Sequence, residues 1–504
     1  MILDGNGLTL NDLVRVARNF EPVELSEEAK RRVRASRDTV EKMAGEEKLV
    51  YGLTTGFGEF AQVKINAEQR RELQVNLLRS HACGVGRPLS EEAVRGAMLL
   101  RANTLAKGNS GARVELIKKL LELLNRRVYP FVPEKGSVGA SGDLAPLAHM
   151  ALLLIGEGRG FVESEVRDGV ECLRRAGVEP IELQEKEGLA LINGTPVMTA
   201  IGSLALYDSV VTLKAAEIAC AMSIEALLAS RAFLKEEVHR ARGLEGQITS
   251  AENMRKLVDG SEIIESHRAC RSVQDAYSLR CSPQVLGCAH DAIAFCRRTV
   301  EREMNAACDN PLILGEEVIS AGNFHGEPVA QAMDFLAITV SEIGSISERR
   351  IFRYVDDSLS NLPAALVEKS GLNNGFMITQ YIAASLASEN KVLAHPASVD
   401  SIPTAANQED HVSMGTIAAR KARAVVDNVR RIVAIELLCA AQALDFRKPL
   451  ECGKGTALAH RFIREELGIG FLEEDRSLSE DIERTAGSLD ALVSYVGRGI
   501  ELRL

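Results

Sequence analysis

Residues 197–242 read VMTAIGSLALYDSVVTLKAAEIACAMSIEALLASRAFLKEEVHRAR. The stretch is rich in Ala, Leu, Met, Glu and Lys, with charges at intervals of several residues. No proline occurs from Val197 to Ser282, and none from Thr404 to Lys448. Proline costs about 3 kcal/mol inside a helix, so such gaps permit long ones. Segments Pro283–Asn305, Pro328–Val355 and Val412–Leu444 read the same way. Strand-like alternation is scarce, although Pro311-Leu312-Ile313-Leu314 suits a small hairpin. The expectation is an all-α fold with a central bundle of long helices. Residues 1–193 carry more glycine and shorter helical patterns, and read as a smaller, more irregular N-terminal domain. Residues 194–504 read as the long-helix bundle and the C-terminal helices.

The bulk properties narrow the function. At 504 residues and 46% apolar content the chain can bury a large core. The net charge of −10, the absence of Trp and an aromatic content of 4% argue against a nucleic-acid surface. Ten cysteines are scattered without a C-x-x-C pair, which argues against structural zinc and against a disulfide framework and favours a reducing cytoplasm. Cys281, Cys288 and Cys296 recur at about two-turn spacing, which suits one buried helix face. The N-terminus lacks the pattern of a secretory signal. Gly188 to Tyr207 is 20 residues without a charge, long enough to span a bilayer. Asn193, Gly194, Thr195 and Pro196 interrupt it, so it reads as a loop entering a buried helix rather than a membrane span. Met150–Gly160 imitates a dinucleotide-binding turn, but its third glycine comes one residue early and no series of strands follows.

The chemistry is concentrated in Gly136-Ser137-Val138-Gly139-Ala140-Ser141-Gly142-Asp143. If the backbone folds back tightly, the Gly142 nitrogen can attack the Ala140 carbonyl, and glycine tolerates the dihedrals that such a bend needs. Loss of water from the ring and from Ser141 leaves a methylidene-imidazolone. That group is an electrophile, which no ordinary side chain is. Asp143 is placed to cap a following helix over Leu144–Met150, with Pro146 early in its first turn.

Other segments set polar groups among glycine or apolar residues. They are Tyr51-Gly52-Leu53-Thr54-Thr55-Gly56, Ser80-His81, Leu191-Ile192-Asn193-Gly194-Thr195 and Gly322-Asn323-Phe324-His325. Gln274, Tyr277 and Arg280 fall on one face of a helical turn. Asn407-Gln408-Glu409-Asp410-His411 reads as the opening of a helix.

In order and spacing, these segments and Ala140-Ser141-Gly142 resemble the aromatic amino acid ammonia-lyase family from about Tyr51 to Leu444. The resemblance implies non-oxidative elimination of ammonia from an aromatic amino acid, with no cofactor beyond the methylidene-imidazolone. It implies that Ala140, Ser141 and Gly142 form the electrophile and that Tyr51 removes the Cβ proton. Arg280 would bind the substrate carboxylate, and Asn193, Gln274 and Tyr277 would polarise the ring or orient the amine. Phe324 would pack on the substrate. Within the family, Glu409 stands where relatives acting on phenylalanine or tyrosine typically have glutamine. A carboxylate there can accept a hydrogen bond from an imidazole N–H. With Ser80-His81, this points to L-histidine as substrate and trans-urocanate as product, His81 and Glu409 holding the imidazole. A homotetramer with shared active sites is also implied. Two alternatives stay open: a phenylalanine or tyrosine ammonia-lyase or aminomutase on the same scaffold, and a helical scaffold that has lost catalysis.

Overall fold

The computed structural model describes residues 1–45, 55–56, 65–66, 69–267 and 274–504. Helices dominate. The longest are Pro196–Ala226, Ser282–Met304, Glu327–Val355 and Gly415–Asp445. Each begins close to where the proline gaps and the residue composition place it. Pro196 occupies the first helical position of its helix, where its missing N–H costs nothing.

The opening stretch is not one helix. Its helix stops at Ala226, and a 3-10 turn Ala232–Leu234 and a short helix Glu236–Arg242 follow. Leu228 is left-handed, with φ 55°. The Ala229 amide donates to the Ile224 carbonyl at 2.9 Å and the Leu228 amide to the Glu225 carbonyl at 3.0 Å. This is the pair of back-bonds that closes a helix end, made here without the usual glycine.

The chain divides into two compact units. One comprises Met1–Tyr207, Arg297–Asp334 and Pro396–Arg420, the other Asp208–Cys296, Phe335–His395 and Lys421–Leu504. All the strands among the described residues belong to the first unit and are short. They include the expected hairpin, in which Leu312–Leu314 pairs antiparallel with Glu317–Ile319. A three-stranded sheet joins Tyr129–Pro130, Arg159–Val162 and Glu165–Asp168.

The second unit is held by a buried charge cluster. Arg350 and Glu436 are both fully buried, and an Arg350 Nη2–H donates to Glu436 Oε2 at 2.8 Å. The Ser223 and Ser347 hydroxyls donate to the same carboxylate at 2.7 and 2.5 Å. One carboxylate thus ties three long helices together, and each of its oxygens is satisfied. In the same unit Cys296 is buried while Cys288 is exposed, so their spacing does not mark a common buried face.

Pro196–Ala226 and Glu327–Val355 are long and apolar enough to cross a membrane, but 89% and 67% of their most apolar windows are buried within the protein. The uncharged stretch from Gly188 enters a short helix, Glu187–Ile192, breaks at Asn193–Thr195 and continues into the long helix, as its loop-forming residues indicate.

Candidate active site

Residues 139–142 form a four-residue turn whose ends, Gly139 and Gly142, are antiparallel bridge partners. Gly142 has φ +77°, and a Cβ there would lie 2.0 Å from the Gly194 carbonyl oxygen. Only glycine fits both demands. The turn is clamped on two sides. The Gly194 amide donates to the Ser141 carbonyl at 2.9 Å, and the Asp143 amide donates to the Gly194 carbonyl at 2.7 Å. Opposite, the Met414 amide donates to the Val138 carbonyl at 3.0 Å, and Ala140 packs on Val412 and Met414. The backbone is therefore bent and pinned at the three residues whose cyclisation the sequence suggests. The residues fit a methylidene-imidazolone: 139–142 turn back on themselves, and the atoms nearest a Cβ on Gly142 are backbone atoms of Gly194.

Asp143 precedes the helix Leu144–Leu154 but makes no side-chain cap to it. This corrects the sequence expectation. Its Oδ2 instead accepts the Val197 and Met198 amides, both at 2.9 Å, at the start of Pro196–Ala226. Thr416 donates to Oδ1 at 2.5 Å. Burial pushes the Asp143 carboxyl up to about 6, against the pull of these hydrogen bonds. Glu303, beside Thr195, is likewise raised by burial, with the Asp143 charge adding to the effect.

The helix Glu187–Ile192 delivers Asn193, which is 3% exposed. Its Nδ2 donates to Asp309 Oδ1 at 3.1 Å and to the Asn310 carbonyl at 3.2 Å. The buried Arg101 guanidinium donates to the Ala190 and Asn193 carbonyls at 2.9 and 2.8 Å, placing a cation at the negative end of that helix.

Ala140 and Ser141 open onto a cavity of about 450 Å3, lined also by Asn310, Phe324, Glu409 and His411. The structure thus brings together four of the residues singled out in the sequence: Ala140, Ser141, Phe324 and Glu409. Glu409 does not open a helix. It lies in an irregular turn in which Ala405, Ala406 and Asn407 have positive φ, and the helix begins only at Gly415. Its backbone pairs with Thr404, and the Thr404 hydroxyl donates to Glu409 Oε2 at 2.6 Å.

His81 ends the helix Arg70–His81. Its Nδ1 lies 2.9 Å from the Leu77 carbonyl. A carbonyl only accepts, so Nδ1 carries the proton and Nε2 keeps its lone pair. Burial holds the imidazole below its usual pKa, while Leu77 and the Glu409 charge pull it back.

The reading of single residues missed His325 and His411, which also line the cavity. Their rings lie 5.7 Å apart, and His325 Nε2 is 3.2 Å from the His411 carbonyl. Both fall inside segments that the sequence marks as polar loops, but nothing in the pattern distinguishes them from turn residues.

Gln274, Tyr277 and Arg280 belong to the second unit. Arg280 Nη2–H donates to Gln274 Oε1 at 2.8 Å, and the guanidinium carbon lies 4.6 Å from the Tyr277 ring centre. Tyr277 is 71% exposed. The three do not share one helix: a single turn spans Tyr277–Arg280, and Gln274 lies ahead of it in irregular chain. Tyr51 lies outside the described residues.

Residues 8–465 match the aromatic amino acid lyase family. The chain is 56% identical over 484 residues to the histidine ammonia-lyase of Caldanaerobacter subterraneus, covering 96% of this chain and 95% of that protein. It is 52% identical to the histidine ammonia-lyase of Alkaliphilus oremlandii, over 100% and 99% of the two chains. Among solved structures, the histidine ammonia-lyase of Trypanosoma cruzi superposes with a TM-score of 0.92 at 44% identity, covering 99% of this chain and 95% of that one. A tyrosine aminomutase from Streptomyces globisporus superposes with a TM-score of 0.94 at 38% identity, over 100% of both chains. The chain belongs to the aromatic amino acid lyase family.

Proposed function

We propose that this chain is a carbon–nitrogen lyase that eliminates ammonia from L-histidine to give trans-urocanate. The observation that carries this reading is that Glu409 opens onto the same cavity as Ala140 and Ser141. Relatives sharing half or more of their residues with this chain are histidine ammonia-lyases. The fold alone does not separate this activity from that of a tyrosine aminomutase, because both superpose equally well.

The chemical difficulty is that the Cβ proton is not acidic and ammonia leaves poorly. A ring formed from Ala140, Ser141 and Gly142 would supply an electrophile for the substrate nitrogen, and the backbone hydrogen bonds from Gly194 and Met414 would hold it in place. The side chains do the rest. The deprotonated Nε2 of His81 accepts one imidazole N–H of the substrate, and Glu409 accepts the other. A carboxylate favours the protonated imidazole, which makes the neighbouring Cβ proton easier to remove. Tyr51 takes that proton. Phe324 packs on the substrate ring. The Arg280 guanidinium binds the substrate carboxylate through parallel hydrogen bonds, with Gln274 fixing its direction. Asn193 and Tyr277 orient the amine.

The catalytic unit is a homotetramer in which several subunits complete each site. Supporting this, Met377, Ile378, Tyr381 and Ile382 present an exposed apolar face on the helix Met377–Leu393, of a kind that a partner subunit covers. The enzyme works in the cytoplasm, which suits cysteines without pairing motifs.

A substrate screen tests the reading. L-Histidine, L-tyrosine and L-phenylalanine are supplied in turn, and product is followed by ultraviolet absorbance. Urocanate from histidine, with little or no cinnamate or coumarate from the others, is the expected result. Preferred turnover of tyrosine or phenylalanine, or a β-amino acid as product, would refute it.

A further inference from the structure

Behind Asn193 lies a buried ion pair that the roles above do not use. Lys186 Nζ stands 2.8 Å from Asp309 Oδ2, and the two side chains are 1% and 0% exposed. The other carboxylate oxygen, Asp309 Oδ1, accepts from Asn193 Nδ2 at 3.1 Å and from the Asn310 amide at 2.7 Å. The same Asn193 nitrogen donates to the Asn310 carbonyl at 3.2 Å.

Both partners of that nitrogen are acceptors. They engage the two N–H groups of the carboxamide and so fix which end faces Asp309. The nitrogen is held at the back, and the carbonyl oxygen is left on the other side. The backbone is held as firmly. Arg101 grips the Asn193 carbonyl, and the next residue, Gly194, exchanges hydrogen bonds with Ser141 and Asp143. A Cβ on Gly194 would lie 2.0 Å from the Cys308 carbonyl oxygen, so residues 308–310 pack directly behind 193–194, with 141–143 in front.

A buried ion pair is a costly way to fill a core. Removing two charges from water offsets most of their attraction, and an apolar pair of similar volume often serves stability as well or better. What an apolar pair cannot do is accept the Asn193 N–H. We infer that Asp309, itself anchored by Lys186, is a positioning residue that fixes the Asn193 carboxamide with its oxygen as the end available to the reaction site. Lys186 sets the carboxylate, the carboxylate sets the carboxamide, and the carboxamide presents an acceptor for the N–H groups of the substrate amine. This inference rests on the proposed role of Asn193 in orienting that amine.

The test uses neutral replacements, so that no unpaired charge is left buried. In Lys186→Met/Asp309→Leu both charges and the acceptor are lost. In Lys186→Met/Asp309→Asn a neutral acceptor oxygen returns. Both are assayed as the assembled enzyme, beside Asn193→Ala, and crystal structures report the Asn193 carboxamide directly. The double variant with Asp309→Leu is expected to lose about tenfold or more in kcat with KM within about twofold. Its loss should not add to that of Asn193→Ala, and its Asn193 carboxamide should rotate or adopt several orientations. The double variant with Asp309→Asn should recover most of the kcat and the single orientation. Parental kcat and an unmoved carboxamide in the Asp309→Leu double variant would overturn the inference. Should the parent itself fail to turn over histidine, the functional reading falls instead, and the crystallographic comparison still decides whether Asp309 orients Asn193.

Discussion

The Asp143 carboxylate accepts the Val197 amide at 2.9 Å, so a residue standing at the start of one helix caps another, 54 positions along the chain. With the Met198 amide and the Gly194 hydrogen bonds, this contact ties the turn 139–142 to the start of the helix Pro196–Ala226. The charge lies at the positive end of that helix, where carboxylates are favoured. Burial nevertheless lifts its pKa from 3.8 to about 6.

A raised carboxyl pKa has a definite sign. The protonated form is the better accommodated one, so the associated stability is complete below pH 3.8 and is lost as pH rises through about 6. A shift of this size corresponds to about 3 kcal/mol. Asp143→Asn stays neutral throughout. The stability of the parent relative to this variant should therefore fall between pH 4 and pH 7, measured as denaturant midpoints. A flat difference across that range would show that Asp143 titrates normally.

Gly142 makes a separate prediction. Alanine there meets a positive φ and a backbone oxygen 2.0 Å away, and backbone cannot step aside as a side chain can. Left-handed backbone alone costs a non-glycine residue about 1–2 kcal/mol. Gly142→Ala should give little soluble protein, and whatever folds should retain the full, uncyclised mass. A soluble variant carrying the modification would contradict the geometry of the turn.

Glu409→Gln preserves shape and can still accept the Thr404 hydroxyl. A hydrogen bond to a charged group is worth about 1.5–3 kcal/mol, so kcat/KM for histidine should fall roughly ten- to a hundredfold. The melting temperature should stay within a degree or two, because Glu409 is only half-buried. Equal histidine turnover by variant and parent would remove the imidazole contact from the account.

Much of this molecule was legible beforehand because its signals are local. Proline gaps allow the four long helices, and composition fills them with helix formers. The break at Asn193–Thr195 and the hairpin at Leu312 likewise follow from residues within a few positions of each other. What escaped detection depends on distant partners or on backbone strain that other contacts sustain. Leu228 ends a helix in a left-handed conformation that glycine would normally signal. Ala405, Ala406 and Asn407 turn the chain the same way ahead of Glu409, where a helix opening looked natural. The Asp143 carboxylate finds its amides beyond its own helix, and Lys186 finds Asp309 across 123 residues. No spacing rule connects such pairs.

Ser141 separates folding from chemistry. Its side chain has no role in the backbone clamps that pin the turn, which run through the Ser141 carbonyl and its neighbours. Ser141→Ala should fold and assemble like the parent and lose nearly all turnover. Full activity in that variant would mean that the electrophile lies elsewhere.

The most direct measurement is the mass of the proteolytic peptide containing residues 136–147 from active enzyme, beside the same peptide from Ser141→Ala. Cyclisation and dehydration each remove one water, so the peptide from active enzyme should be lighter than its sequence mass by about 36 Da. The Ser141→Ala peptide cannot lose the side-chain water and should lack that deficit. An unmodified peptide from fully active enzyme would contradict the central claim that this turn becomes the electrophile.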